Sequence, residues 1–275
     1  MKKEYLRWKA DGFARTTLTL LSAALLCLPA GVAVAQTPEE KGLAIAQEAW
    51  NRDRGYGDQV AQLVMILRNR NNDEMRRELR IKTLEGENDA IRALVIFDTP
   101  MDVRGTALLT YSYKDKPDEQ WLFIPSVNRV KRITGSGQSG PFMGSEFAFE
   151  DMGSQRVEKF TYKYLGEENL DGTACHKLER YPENKESGYS KQVAWLDTEH
   201  LRVLKVDYYD KKGELLKTLT LSGYQQYLNR HWRPARMEMV NHQSGKSTVL
   251  EWSNIQFKTG LTERDFDQNA LKSVR

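Results

Sequence analysis

Cysteine is nearly absent from this sequence, with Cys27 and Cys175 the only two. Cys27 lies in an N-terminal leader, so a chain without that leader keeps Cys175 alone and forms no intramolecular disulfide. A hydrophobic core must then hold the fold, and the 240 residues after position 35 are ample for one. A long apolar run is also missing: 16–28 falls short of the roughly 20 residues a membrane span needs. Metal spacing is absent, because His176, His200, His231 and His242 stand far apart. Net charge vanishes too. Of 41 basic and 38 acidic residues the first 35 hold five and two, leaving 36 of each. Nucleic-acid binding therefore lacks its usual electrostatic basis. No repeat, low-complexity tract or linker divides 36–275, which reads as one domain.

The leader has the parts of a secretory signal peptide. Lys2, Lys3, Arg7, Lys9 and Arg15 precede the apolar run, and Ala33-Val34-Ala35 offers a cleavage site before Gln36. Leu26 before Cys27 does not suit lipid attachment, and no twin-arginine pair precedes the apolar run, so the general secretion route and cleavage after Ala35 are expected.

Residues 37–54 read as the one long helix, with Thr37 as N-cap, Pro38 in the first turn and Gly55 as the stop. Leu43, Ala46, Ala49 and Trp50 make its apolar stripe. From Asp58 onward the pattern is strands joined by polar turns: 59–69, 74–84, 91–98, 104–114, 121–124, 127–133, 159–166, 174–181, 192–196, 203–209, 215–221, 232–241 and 247–258. Residues 261–275 read as a short helical or irregular closing element. The expected class is mainly β with few helices (α+β), built on one large antiparallel sheet that must curl or split.

Residues 121–152 concentrate the most signals. Trp121 to Ile124 is apolar on both faces, as in a strand covered on both sides. Four glycines and Pro141 between 135 and 144 suggest a mobile flap. Ser145 is expected to cap a short helix over 145–152 carrying Phe147, Phe149 and Met152. Such a helix would lie as a lid across the open side of a curved sheet.

Catalytic patterns fail on context. Gly135 to Gly140 spells G-x-G-x-x-G, but no long helix follows and the surroundings are antiparallel. Cys175 and His176 point to opposite faces of a strand. Glu150 and Asp151 are the strongest acid-base candidates, with pairing to Arg129, Lys131 or Arg132 as the plainer alternative. What remains is apolar surface. Tyr111, Tyr113, Trp121, Phe123, Phe142, Met143, Phe147, Phe149, Met152, Trp195 and Trp252 are candidate walls and lid of a cavity for a greasy ligand. A packed core is the alternative. Arg129, Lys131, Arg132, Glu150 and Asp151 are candidates for contact with a headgroup or partner. No cofactor or metal is expected.

The blocks Trp121 to Ser126, Arg129 to Ile133, Phe142 to Phe147 and Phe149 to Met152 resemble the signature of the outer-membrane lipoprotein-sorting protein family, the LolA-like carriers. The resemblance covers essentially all of 36–275. It implies a LolA/LolB-like half-barrel of antiparallel strands closed by helices. It also implies a periplasmic, non-enzymatic carrier of lipid or lipoprotein acyl chains, with transient membrane-protein contact beside an inner-membrane RND-type exporter. The P-S-x-x-R-V-K-R-I and G-S-E-F-x-x-E-D-M blocks depart from the archetypal carrier, so lipoprotein and free lipid both stay open as cargo. A second reading is an exporter accessory subunit that binds protein and not lipid. A third is a hydrolase using Glu150 or Asp151.

Overall fold

Thr37 begins the one α-helix among the described residues with a reciprocal cap. Its hydroxyl accepts from the Glu40 N–H at 3.1 Å, and the Glu40 carboxylate accepts from the Thr37 N–H at 2.9 Å. The computed structural model describes residues 36–273, where α1 spans Pro38–Asp53. The expected signal peptide, 1–35, lies outside the described residues. Gln36–Arg275 forms one compact unit.

Fifteen strands follow α1. β1 (Asp58–Arg68), β2 (Glu74–Glu85), β3 (Ile91–Thr99), β4 (Ala107–Ser112), β5 (Glu119–Ile124) and β6 (Arg129–Ile133) form one antiparallel meander. β7 (Phe160–Leu170), β8 (Thr173–Pro182), β9 (Lys191–Asp197), β10 (Val203–Tyr209) and β11 (Leu215–Ser222) form a second. β12 (Gln225–Tyr227) and β13 (His231–Arg233) make a separate small hairpin, while β14 (Arg236–Asn241) and β15 (Ser247–Phe257) join the wings. The main sheet runs β6-β5-β4-β3-β2-β1-β15-β14-β11-β10-β9-β8-β7. Every adjacent pair is antiparallel, and β6 and β7 remain edges, so the sheet is not closed into a barrel.

Period-two burial gives the sheet an inner and an outer face. Leu63, Met65, Leu79, Ile81, Val95, Leu178, Leu196 and Leu219 share the core of the inner face. On the outer face of β3–β5, Trp121 and Phe123 meet Phe266 and Leu271 from the 3-10 turns Glu263–Phe266 and Gln268–Ser273. Leu122 points inward, so β5 is apolar on both sides because it is covered on both sides. The run expected as one strand over 232–241 is divided at Pro234, which has no N–H for a ladder.

The central segment differs from the expected lid helix. Over 135–152 there are three 3-10 turns, Gly135–Ser139, Phe142–Gly144 and Phe149–Met152. Met143 and Gly144 adopt left-handed backbone at φ 50° and 77°. The Phe142 N–H donates to the Phe147 carbonyl at 2.7 Å, and Pro141 bridges Ala148, so the groups an α-helix would use are spent in a tight extended loop. Ser145 is not the N-cap of a helix but closes the 3-10 turn Phe142–Gly144, its hydroxyl donating to the Phe142 carbonyl at 2.7 Å.

Candidate functional site: a cavity beneath the helix

The segment 135–152 is a strap that fills one end of the inner face. Phe142, Phe147 and Phe149 are buried, with the Phe142 ring 5.8 Å from Phe97 and 5.5 Å from Phe149. Polar ties fix it from several directions. Arg77 of β2 donates to the Met143 carbonyl at 2.6 Å. The Thr248 hydroxyl of β15 accepts from the Glu146 N–H at 3.0 Å, and Asn241 of β14 donates to the Glu146 carboxylate at 2.7 Å. Lys217 of β11 donates to the Glu146 carbonyl and the Asp151 carboxylate, each at 2.8 Å.

Glu150 and Asp151 are therefore structural anchors. Glu150 accepts from the Ser187 hydroxyl at 2.6 Å and the Gly188 N–H at 2.8 Å, and burial holds its carboxyl above the usual range. Asp151 accepts from the Tyr189 hydroxyl at 2.9 Å and the Ala148 N–H at 2.7 Å as well as from Lys217. Burial, and secondarily the neighbouring Asp151, drives the Tyr189 phenol well up. Neither carboxylate meets the basic cluster, contrary to the pairing weighed from sequence. Arg129, Lys131 and Arg132 are exposed on edge strand β6, where Arg132 pairs with Glu119 at 2.7 Å.

The other end of the inner face is not filled. α1 crosses β7 closely enough that a Cβ on Gly42 would lie 2.9 Å from the Tyr164 nitrogen. Beyond that crossing the second half of α1 stands off the sheet over a cavity of about 540 Å³. Ala46, Ala49 and Trp50 line it from the helix, and Leu178, Ala194, Leu196 and Trp252 from the sheet. Met152, at the end of the strap, bounds it. The β12–β13 hairpin holds the helix C-terminus over the opening. Arg230 donates to the Asn51 carbonyl at 2.8 Å and the Arg52 carbonyl at 3.1 Å, and Arg233 pairs with Asp53 at 2.5 Å. A polar groove of about 430 Å³ adjoins it, sharing Arg52, His200, Arg230 and Trp232 with the cavity.

Of the residues proposed from sequence as walls, Met152 and Trp252 line the cavity. Phe142, Met143, Phe147 and Phe149 belong to the strap. Trp121, Phe123 and Tyr111 lie on the outer face with the C-terminal turns, and Tyr113 packs edge-on against Tyr111 at 6.4 Å. Trp195 lies in another outer-face cluster with Cys175 and Val193. Alternation explains the displacement: Leu122 and Ala194 point inward, so Trp121 and Trp195 point outward. The wall residues Leu178, Leu196, Tyr224 and Trp232 went unnoticed in the sequence, although period-two spacing with Ala194 and Leu196 pointed to the inner face of β9. Among the described residues no group of three or more His, Cys, Asp and Glu could hold a metal.

A family model described as "uncharacterized protein" matches residues 89–273. A domain from Vibrio parahaemolyticus, assigned as an outer membrane lipoprotein-sorting protein, is 51% identical, with a TM-score of 0.83, covering 85% of this chain and 99% of that one. This chain belongs to the outer-membrane lipoprotein-sorting protein family. A DUF1329 family protein from Desulfovibrio piger is 33% identical, with a TM-score of 0.81 over 86% of this chain and all of its own. A LolA superfamily protein from Nitrosomonas europaea shares the fold at 21% identity and TM-score 0.67, over 86% of this chain and 99% of that one. No curated protein matches the chain. Within this LolA-like sheet, the G-S-E-F-x-x-E-D-M block is the anchored part of the strap, each of its three acids bound to a different element. Among the described residues no helix is long and apolar enough to cross a membrane.

Proposed function

We propose that this protein is a periplasmic carrier that takes an acyl chain of a lipid or lipoprotein into the cavity beneath α1 for transfer toward the outer membrane. The observation that carries the reading is the cavity itself, whose volume of about 540 Å³ falls within the roughly 300–1,000 Å³ of small-molecule sites. Each methylene moved from water into such walls contributes about 0.8 kcal/mol. In this reading the protein catalyses nothing, since Glu150 and Asp151 are committed to the strap. The test is native mass spectrometry with lipid extraction on protein purified without detergent. Wild type is expected to carry lipid, and Ala49→Phe, which fills the cavity from the helix, to carry little. Equal lipid in both would refute the cavity assignment.

One observation favours a protein partner in addition. Met101 and Val127 are 77% and 64% exposed, on turns that meet where Gly105 approaches Pro125, beside the basic strand β6. An inner-membrane RND-type exporter docking there would lose binding in Arg129→Glu/Lys131→Glu, with bound lipid unchanged. Retention of that exporter in a pull-down by the double variant would remove this surface from consideration.

A further inference from the structure

Six arginines line the cavity, Arg52, Arg54, Arg180, Arg202, Arg230 and Arg233. Four are neutralised by carboxylates: Arg52 by Glu48, Arg54 by Asp89, Arg202 by Asp197 and Arg233 by Asp53. Arg230 is spent on the last carbonyls of α1, the negative end of the helix. Arg180 has neither kind of partner. Its Nε donates to the Gln192 amide oxygen at 2.8 Å and its Nη2 to that of Gln155 at 3.4 Å, and both amides are neutral. The acids close to it in the chain and on the strap are committed elsewhere. Glu179 pairs with Lys191 at 2.5 Å and Glu158 with Arg156 at 3.4 Å, while Glu150 accepts from Ser187 and Gly188 and Asp151 pairs with Lys217. Among the described residues no carboxylate lies within ion-pairing distance of Arg180.

Its place in the wall gives that charge a use. Arg180 alternates with Leu178 on β8, and its cross-strand neighbour Gln192 alternates with Ala194 on β9, so the guanidinium shares the inner face with the apolar wall. Two contacts fix its orientation. Cζ lies over the Phe160 ring, 4.5 Å from its centre, and the buried Gln192 holds Nε. Of the N–H groups a guanidinium carries, one on Nε and one on Nη2 are engaged by the protein, while both on Nη1 and the second on Nη2 are not. Paired N–H groups of this kind are what bind a carboxylate or phosphate through two parallel hydrogen bonds. A cation set in an apolar wall is stabilised most by an opposite charge, and the protein supplies none here.

Resting on the carrier reading above, we infer that the ligand is an anionic amphiphile whose carboxylate or phosphate is bound on the inner face against Arg180. Its apolar body lies along Leu178, Ala194 and Leu196 beneath α1. Gln192 and Phe160 are positioning residues, which hold the guanidinium without neutralising it.

The test is titration of delipidated protein, each probe below its aggregation concentration, followed by quenching of the tryptophans that include Trp50 and Trp252. The probes are palmitate, 1-palmitoyl lysophosphatidic acid, neutral monopalmitin and cationic cetyltrimethylammonium, which share one chain length and differ in head charge. One of the two anions is expected to bind at least about tenfold more tightly than monopalmitin, and the cation least tightly, with palmitate against the lysophosphatidate deciding between carboxylate and phosphate. Gln192→Glu sets a carboxylate where the amide oxygen now accepts from Nε, neutralising Arg180 while keeping both side chains and their volumes. It should weaken the better anion at least about tenfold, with monopalmitin unchanged, and Arg180→Gln should do the same. A wild type that prefers neither anion to monopalmitin would overturn the inference. So would undiminished anion binding in Gln192→Glu, equal weakening of palmitate and monopalmitin by that variant, or loss in Arg230→Gln with Arg180→Gln unaffected. Binding by none of the probes, monopalmitin included, would instead refute the carrier reading beneath it.

Discussion

Lys217→Met should be among the most damaging single changes in the molecule, although it lies outside the cavity. The Lys217 side chain is 4% exposed and that of Asp151 7%, at 2.8 Å from each other. Lys217 also stands 5.0 and 5.2 Å from the ring centres of Tyr189 and Tyr208. Methionine fills the volume but leaves Asp151 as a buried carboxylate with the Tyr189 hydroxyl and the Ala148 N–H as its remaining donors. Breaking one side of such a pair costs about 3–5 kcal/mol. For a chain of this size that is a fall in Tm of roughly 6–20 °C, at about 2–4 °C per kcal/mol. Adding Asp151→Asn removes the stranded charge while keeping an acceptor for Tyr189 and Ala148. The double variant should therefore recover about 1–3 kcal/mol relative to the sum of the singles. Denaturant titrations of the four proteins measure the cycle. A Lys217→Met protein within about 1 kcal/mol of wild type, or strict additivity, would refute the claim that this pair clamps the strap.

Other consequences are equally open to measurement. Phe147→Asp, on a ring that is 3% exposed, should fail to fold, and Phe147→Ala should lose about 3–5 kcal/mol by equilibrium unfolding. Gly42→Ala gains about 1 kcal/mol of helix propensity, yet its methyl would press on the β7 backbone, so a net loss of about 1–3 kcal/mol is expected; a net gain in melting temperature would show that α1 can lift off β7. Glu150 has a folded-state pKa raised above 4.5 by burial, so the folded protein holds that proton more tightly than the unfolded chain. Its contribution is complete below 4.5 and is lost as pH rises through the folded value, so wild type should fall in stability relative to Glu150→Gln on going from pH 4 toward neutrality. Parallel stability curves for the two proteins would contradict that sign.

Local signals in the sequence were the most legible. Thr37-Pro38-Glu39-Glu40 marks the start of α1, and the polar turns divide the meanders close to their observed limits. Faces were harder to read, because a strand such as β5 carries apolar residues on both sides and gives no sign of which side holds the cavity. The outer cover over Trp121 comes from Phe266 and Leu271, more than a hundred residues away. The strap misled because glycines and a serine before aromatics satisfy the grammar of a flap and a capped helix. Its extended conformation depends on Thr248, Asn241 and Lys217, partners that no local window contains. The arginines around the cavity belong to four separate stretches, and only the fold brings them together.

The position of β15 bears on how the chain reaches this state. It lies between β1 and β14, so the first strand of the sheet has one of its two neighbours supplied by the last. In a chain that emerges N-terminus first, β1 to β6 can zip by successive hairpins, yet β1 keeps an unpaired edge until residue 257 has cleared. An unpaired strand edge is open to pairing with other chains. The wait is longest for this one, so β1 is the place where a holding factor or slow emergence would matter most.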